Sequence, residues 1–383
     1  MSEWAEAPLG DLADVVDCEH KTAPEAPIGQ EYAYSVGTPD LIDGRINYAT
    51  AKRVTHDTFE SWSRRAVLRG GDLVLAREAP VGQVAQVNPQ MPTCLGQRTV
   101  LVRVKTAQIN NGFLHGYLLG RDAQQWMADR SAGSTVAHLN VADVREVPVR
   151  FPPLPEQRRI AAVLGSLDDL IETDRTQVAI LEDLARSVAA TSRGAVPLSV
   201  IAAAMESSQT RPAGPVEHYS LPAFDAGAMP ELVDGETIQS SKLPLDRPCV
   251  LVSRLNPHWE RCWMVYPGPN AVASTEFVPL VGLGVATEEV WAIASAPPFW
   301  EQMRARVTGT TGSHQRVDKH AVLTLDVPDV RLLASNARRL IVTSVQSAHS
   351  LRNEIVDLTR TRDELLPLLV SGRVLTTRSS AES

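Results

Sequence analysis

The chain has 383 residues, a net charge of −8 and a hydrophobic share of 44%. That length exceeds what one core holds and suits two domains, and the apolar share excludes a largely disordered chain. The acidic balance excludes a plainly basic DNA-binding domain: residues 1–152 carry 15 basic and 18 acidic side chains, and residues 196–330 carry 9 and 15. Contact with nucleic acid would need a local patch or a basic partner, because phosphate neutralisation dominates affinity. Cys18, Cys94, Cys249 and Cys262 are scattered and form no CxxC, which fits free thiols in a reducing cytoplasm better than a disulfide or a metal site. No apolar run approaches the roughly eighteen residues of a membrane span. The opening MSEWAEAPLGDLADV lacks the basic-then-apolar pattern of a leader, so a cytoplasmic protein without membrane contact is expected.

In chain order, residues 10–16 read as a short amphipathic helix. Residues 33–44 and 45–54 read as short strands with a turn at Asp43 and Gly44. Residues 72–77 form a β-rich run, followed by a loop at 78–82 and strands at 83–87 and 97–105. Residues 113–129 then read as a helix, 131–134 as a Gly/Ser loop and 147–151 as a last strand. Next comes PPLPEQRRIAAVLGSLDDLIETDRTQVAILEDLARSV. Its prolines lead into a helix, and Ile160, Val163, Leu164, Leu167, Leu170, Ile171, Val178, Leu181, Leu184 and Val188 recur at steps near three and four. Such a helix over residues 155–191 would be roughly 55 Å long and needs another helix to cover its stripe. Asp174 interrupts that stripe, either specifying register or rotating outward; the outward position is preferred. Beyond it, strands fall at 250–254, 263–266 and 275–280, a helix at 288–306 and a second Gly/Thr/Ser loop at 309–313. A second long helix carries Ile341, Val345, Ala348, Leu351, Ile355, Leu358, Leu365 and Leu366 and is expected to end at Pro367.

The two halves repeat. At an offset of 177, Leu164 aligns with Ile341, Ile171 with Ala348, Val178 with Ile355, Leu181 with Leu358 and Val188 with Leu365. LVLAR at 73–77 matches VLVSR at 250–254, and GQRTV at 96–100 lines up with STEFV at 274–278. AGSTVAHLN at 132–140 resembles TGSHQRVD at 311–318. A unit holding one globular part and one long helix has been duplicated.

PPLPEQRRI before a long amphipathic helix, GQR before a β-run, LVSRLNPHW, STEFV, TGTTGSHQRVDK and the late RDELLPLLVSGRV together resemble the specificity subunit of type I restriction–modification systems. The resemblance covers nearly the whole chain. It implies an α+β architecture: two mixed α/β target-recognition domains, residues 1–152 and 196–330, joined by two long antiparallel helices in a pseudo-two-fold internal repeat. The central helix then spans 153–195 and the C-terminal helix 331–375, with a frayed tail at 376–383. It further implies that each domain reads one half of a bipartite target in double-stranded DNA. The helix pair would set the gap and dock two modification subunits. Those subunits bind S-adenosylmethionine and methylate adenines, while restriction and motor subunits bring ATP and Mg; this chain would bind no cofactor and no metal and would not be an enzyme.

The candidate DNA-contacting residues each have a second reading. Ser134 beside Gly133, His138, and Ser313, His314, Gln315 and Arg316 beside Gly312 occupy equivalent places, with Lys319 just beyond. Glycine lets backbone approach phosphate, and Gln and Arg read base edges bidentately; a tight loop packed on its own domain explains them equally well. Arg64, Arg65 and Arg69 cluster beside Trp62, as a phosphate-and-stacking patch or as a solvated face, the latter preferred. Arg77 and Arg254 follow equivalent strands and can contact DNA or serve as structural ion-pair partners. For the helix seam and partner docking the candidates are Leu164, Leu167, Ile171, Leu181, Val188, Ile341, Ala348, Ile355, Leu358 and Leu365. Asn256-Pro257-His258-Trp259 approaches the adenine-methyltransferase motif but lacks its second proline and a Gly-rich cofactor loop. An interaction scaffold without DNA reading, and a methyltransferase acting through these four residues, are the alternative functions.

Overall fold

The computed structural model describes residues 4–131, 137–206, 208–307 and 315–374. It divides into two compact units, Met1–Ile171 with Asp357–Ser383, and Glu172–Val356. Each unit therefore takes in part of both long helices, Leu154–Ala190 and Ser335–Val370.

In unit 1 a six-stranded sheet is built on Thr99–Val104, flanked antiparallel by Ala13–Asp17 and Leu73–Ala76. Its strands are continuous apolar runs because both faces are covered. Leu73, Leu75, Val100 and Val102 point to one core, with Phe113, Leu114, Leu118 and Met127 from helices Asn111–Leu119 and Arg121–Ser131. Val74, Ala76 and Leu101 point to the other, with Val36, Leu41 and Leu95. A three-stranded sheet centred on Ala33–Val36 lies beyond that second core. The first core runs on into the long helices through Ile160, Leu164, Leu369 and Val370.

Unit 2 repeats the plan. Cys249–Ser253 pairs antiparallel with Phe277–Gly282 and Cys262–Val265. Val250, Val252, Val278 and Leu280 face one core, Leu251 and Phe277 the other. The alignment equates Val250, Val252, Val278, Leu280 and Leu251 with Leu73, Leu75, Val100, Val102 and Val74, so the alternation of faces recurs at these five positions. The first core of this unit takes in Ala185, Ala189, Ile341 and Val345. Within unit 1 the start of the central helix packs with the end of the C-terminal one, and within unit 2 its end packs with the other's start; the pair is antiparallel.

Several elements differ from the sequence reading. Residues 10–16 split into one helical turn, Leu9–Leu12, and the strand Ala13–Asp17, where Val15 and Val16 favour a pleated surface. The helix expected at 113–129 is two, broken at an extended Gly120; that at 288–306 is Thr287–Ala294 and Pro297–Ala305, because two prolines open the second. A further helix, His56–Trp62, is capped by the Thr55 hydroxyl accepting from Thr58 N at 3.3 Å. The C-terminal helix continues through Pro367 to Val370. In the last turn proline forfeits one backbone bond, and burial of Leu369 and Val370 offsets it. Asp174, preferred outward, is buried at 7% exposure with one carboxylate oxygen unpartnered.

Candidate nucleic-acid interface

The repeat places a common construction at the end of each strand that carries an arginine. In unit 1, Leu139 N donates to Arg77 O at 2.9 Å and His138 bridges to Glu78. In unit 2, Val317 N donates to Arg254 O at 3.0 Å and Arg316 bridges to Leu255. Thus a closing segment, residues 137–140 in one unit and 315–318 in the other, is laced to the strand end. Ser134, Ser313 and His314 lie outside the described residues.

The side chains at these closures are fastened by carboxylates. His138 Nδ1 lies 2.7 Å from Glu78 Oε1, and Arg98 Nε lies 2.9 Å from Glu78 Oε2. Arg316 donates to both oxygens of Glu276, the nearest approach being 2.8 Å. This bond, with Arg254 nearby, holds the Glu276 carboxyl below the ordinary glutamate range despite partial burial. Gln315 N donates to Asn256 Oδ1 at 3.1 Å while Asn256 N donates to Gln315 O at 2.8 Å, so the residue of the methyltransferase-like run is engaged in closing the loop. Lys319 opens the helix Lys319–Leu323, partly exposed.

Arg77 and Arg254 are equivalent in sequence but not in environment. The Arg77 side chain is 6% exposed, 3.1 Å from Asp17, and donates to Leu139 O. It belongs to the interior of unit 1 as an ion-pair partner, not to a DNA-facing surface. Arg254 is 24% exposed and lies 3.6 Å from Glu276. Arg64, Arg65 and Arg69 are exposed. Arg64 folds back on Ser61, and Arg65 donates to Cys18 O at 2.9 Å and pairs with Glu19. Trp62 is no stacking platform beside them: with Phe59 it packs on Ala23, Ala33, Val54 and Cys94. The segment from Asp17 to His20 links these arginines to a polar pocket of about 480 Å³ lined by Asp17, His20, Arg77, Glu78, Arg98 and His138 among others.

Sequence reasoning missed Glu78, Arg98 and Glu276. The signal was present: the alignment of GQRTV with STEFV sets Arg98 against Glu276, opposite charges at one place in the repeat. Gly96 in that run cannot carry a side chain, because a Cβ would stand 2.6 Å from the Val36 backbone.

On the long helices, Leu164, Ile171, Ile341 and Ala348 are buried, and Leu167, Leu181, Val188, Ile355, Leu358 and Leu365 are half-buried. Val163, Leu170 and Leu184, expected in the covered stripe, are exposed, as is Ile180.

Residues 1–182 match the family model of the type I restriction modification DNA specificity domain. The chain is similar to the type I restriction enzyme MjaIX specificity subunit of Methanocaldococcus jannaschii, 29% identical over 134 residues, which are 35% of this chain and 30% of that relative. It is also similar to the type I restriction enzyme EcoDI specificity subunit of Escherichia coli, 22% identical over 161 residues, 38% of this chain and 36% of that one. The alignments thus span about a third of each curated relative. The fold of the crystallised S subunit of a type I restriction–modification system from M. genitalium matches over 96% of both chains, with a TM-score of 0.59 and 13% identity. Among the described residues no helix is long and apolar enough to cross a membrane.

Proposed function

We propose that the chain is the DNA-specificity subunit of a type I restriction–modification complex and is itself non-catalytic. Each unit reads one half of a bipartite, asymmetric target, and the long helices set the number of unspecified base pairs between the halves. The exposed apolar residues of the central helix, Val163 and Leu170 in unit 1 and Ile180 and Leu184 in unit 2, give two modification subunits a place to dock. Those subunits are adenine methyltransferases that bring S-adenosylmethionine; restriction and motor subunits bring ATP and Mg.

The observation that carries this reading is the duplication. The same strand pair, two-sided cores and laced closure recur in both units, while the side chains at the closures differ. Two readers of one plan with unlike surfaces are what two unlike half-sites require. The net charge of −8 then assigns much of the phosphate contact to the modification subunits.

A second reading, a scaffold that does not read DNA, draws on the acidity of residues 196–330, with 9 basic against 15 acidic side chains. Adenine methylation by the purified chain alone, and by the chain with its modification subunit, separates these readings. The expected result is none from the chain alone and sequence-specific methylation from the complex. A complex that assembles without sequence-specific protection favours the scaffold. Methylation by the lone chain would return catalysis to Asn256 and its neighbours.

A further inference from the structure

The two closing segments are fastened by one chemistry drawn from different places. In unit 1 the carboxylate comes from Glu78, next to Arg77, and stands between His138 and Arg98. In unit 2 the residue aligned with Glu78 is Leu255. There the carboxylate comes from the adjacent strand run, as Glu276 in the place of Arg98, and stands between Arg316 and Arg254. The backbone around the two arrangements is the same: Arg77 N donates to Arg98 O at 2.9 Å, and Arg254 N donates to Glu276 O at 3.0 Å. So one carboxylate between two nitrogen-bearing side chains recurs while the residue supplying it changes.

Burial gives the arrangement a direction. The side chains of Glu78 and Glu276 are 19% and 20% exposed, whereas those of His138 and Arg316 are 35% and 41% exposed. The carboxylate lies beneath and the nitrogen-bearing side chain that it holds faces solvent. A charge-assisted bond of this kind fixes the plane of an imidazole or guanidinium, and base-edge reading depends on that plane.

We propose that Glu78 and Glu276 are positioning residues for half-site reading, each orienting the exposed donor of its own unit, His138 or Arg316, toward DNA. This rests on the functional reading above. The test uses the host carrying Glu78→Gln or Glu276→Gln, or the conservative variants Glu78→Asp or Glu276→Asp, which keep a carboxylate and leave His138 and Arg316 in place. Long-read methylome sequencing gives the methylation of true targets relative to sites altered in one half. Glu78→Gln is expected to lower that discrimination about tenfold or more at one half only, and Glu276→Gln at the other half only, the range a lost bidentate contact predicts. Each Asp variant retains more discrimination at its half than the matching Gln variant. Unchanged discrimination in both Gln variants, equal loss at both halves, or Asp variants no better than Gln overturns the proposal. Absence of any target-specific methylation by the wild-type chain would instead overturn the functional reading, and this proposal with it.

Discussion

Arg77 and Arg254 show how position in a repeat and position in space separate. Arg77 is buried against Asp17, so Arg77→Leu leaves a carboxylate short of its partner and should cost about 3 kcal/mol in denaturant unfolding. Arg254→Leu should cost no more than about 1 kcal/mol, since Glu276 keeps Arg316. Equal costs would contradict this assignment. His115, beside the Arg362–Asp168 pair in unit 1, has its Nε2 buried without a partner; burial holds its imidazole below the ordinary histidine range, against the pull of Asp168. The folded state then binds fewer protons than the unfolded one, so stability is full above about 6.5 and declines as pH falls below it. Melting scans from pH 7.5 to 5.5 should show the decline, and His115→Gln should flatten part of it; His218 and His349, also depressed by burial, act in the same direction. No pattern in the sequence reveals that Arg77 is interior, because its partner lies sixty residues away in the chain. The charge exchange between Arg98 and Glu276 was legible, but its meaning required the bond to Arg316.

The long helices were the most legible elements, since their period is set by one-dimensional spacing. What spacing leaves open is which side of the stripe is covered. Val163, Leu170 and Leu184 sit at the margin of the seam and are exposed, whereas Asp174 is inside. Burying a carboxylate with one oxygen unpartnered costs more than burying a leucine. Asp174→Leu should therefore raise stability by about 1–3 kcal/mol, read as a higher denaturant midpoint with an unchanged slope. A lower midpoint would mean that the carboxylate secures helix register. The shorter helices were less legible, because whether Gly120 or Pro297 interrupts a helix depends on what the following segment packs against. Ala123 and Met127 after the first break, and Phe299, Trp300 and Met303 after the second, are all buried.

At the scale of the molecule, duplication was readable from aligned fragments, and the two-sided cores agree with it at single residues. The identity of the bases read was not, because it depends on side-chain placement at loops that periodicity does not fix. If the helices act as a ruler, a seven-residue insertion near residues 174–177, matched in the C-terminal helix, preserves the seam and adds about 10 Å. The spacer of the methylated target should lengthen by about three base pairs at 3.4 Å each; an unchanged spacer would remove the ruler from the account. Half-site reading is tested most plainly by long-read methylome sequencing of the host with and without this chain. A two-part adenine-methylation motif of two unlike halves separated by unspecified bases is expected with the chain and lost without it; an identical methylome in both strains would rule out the DNA-specificity reading.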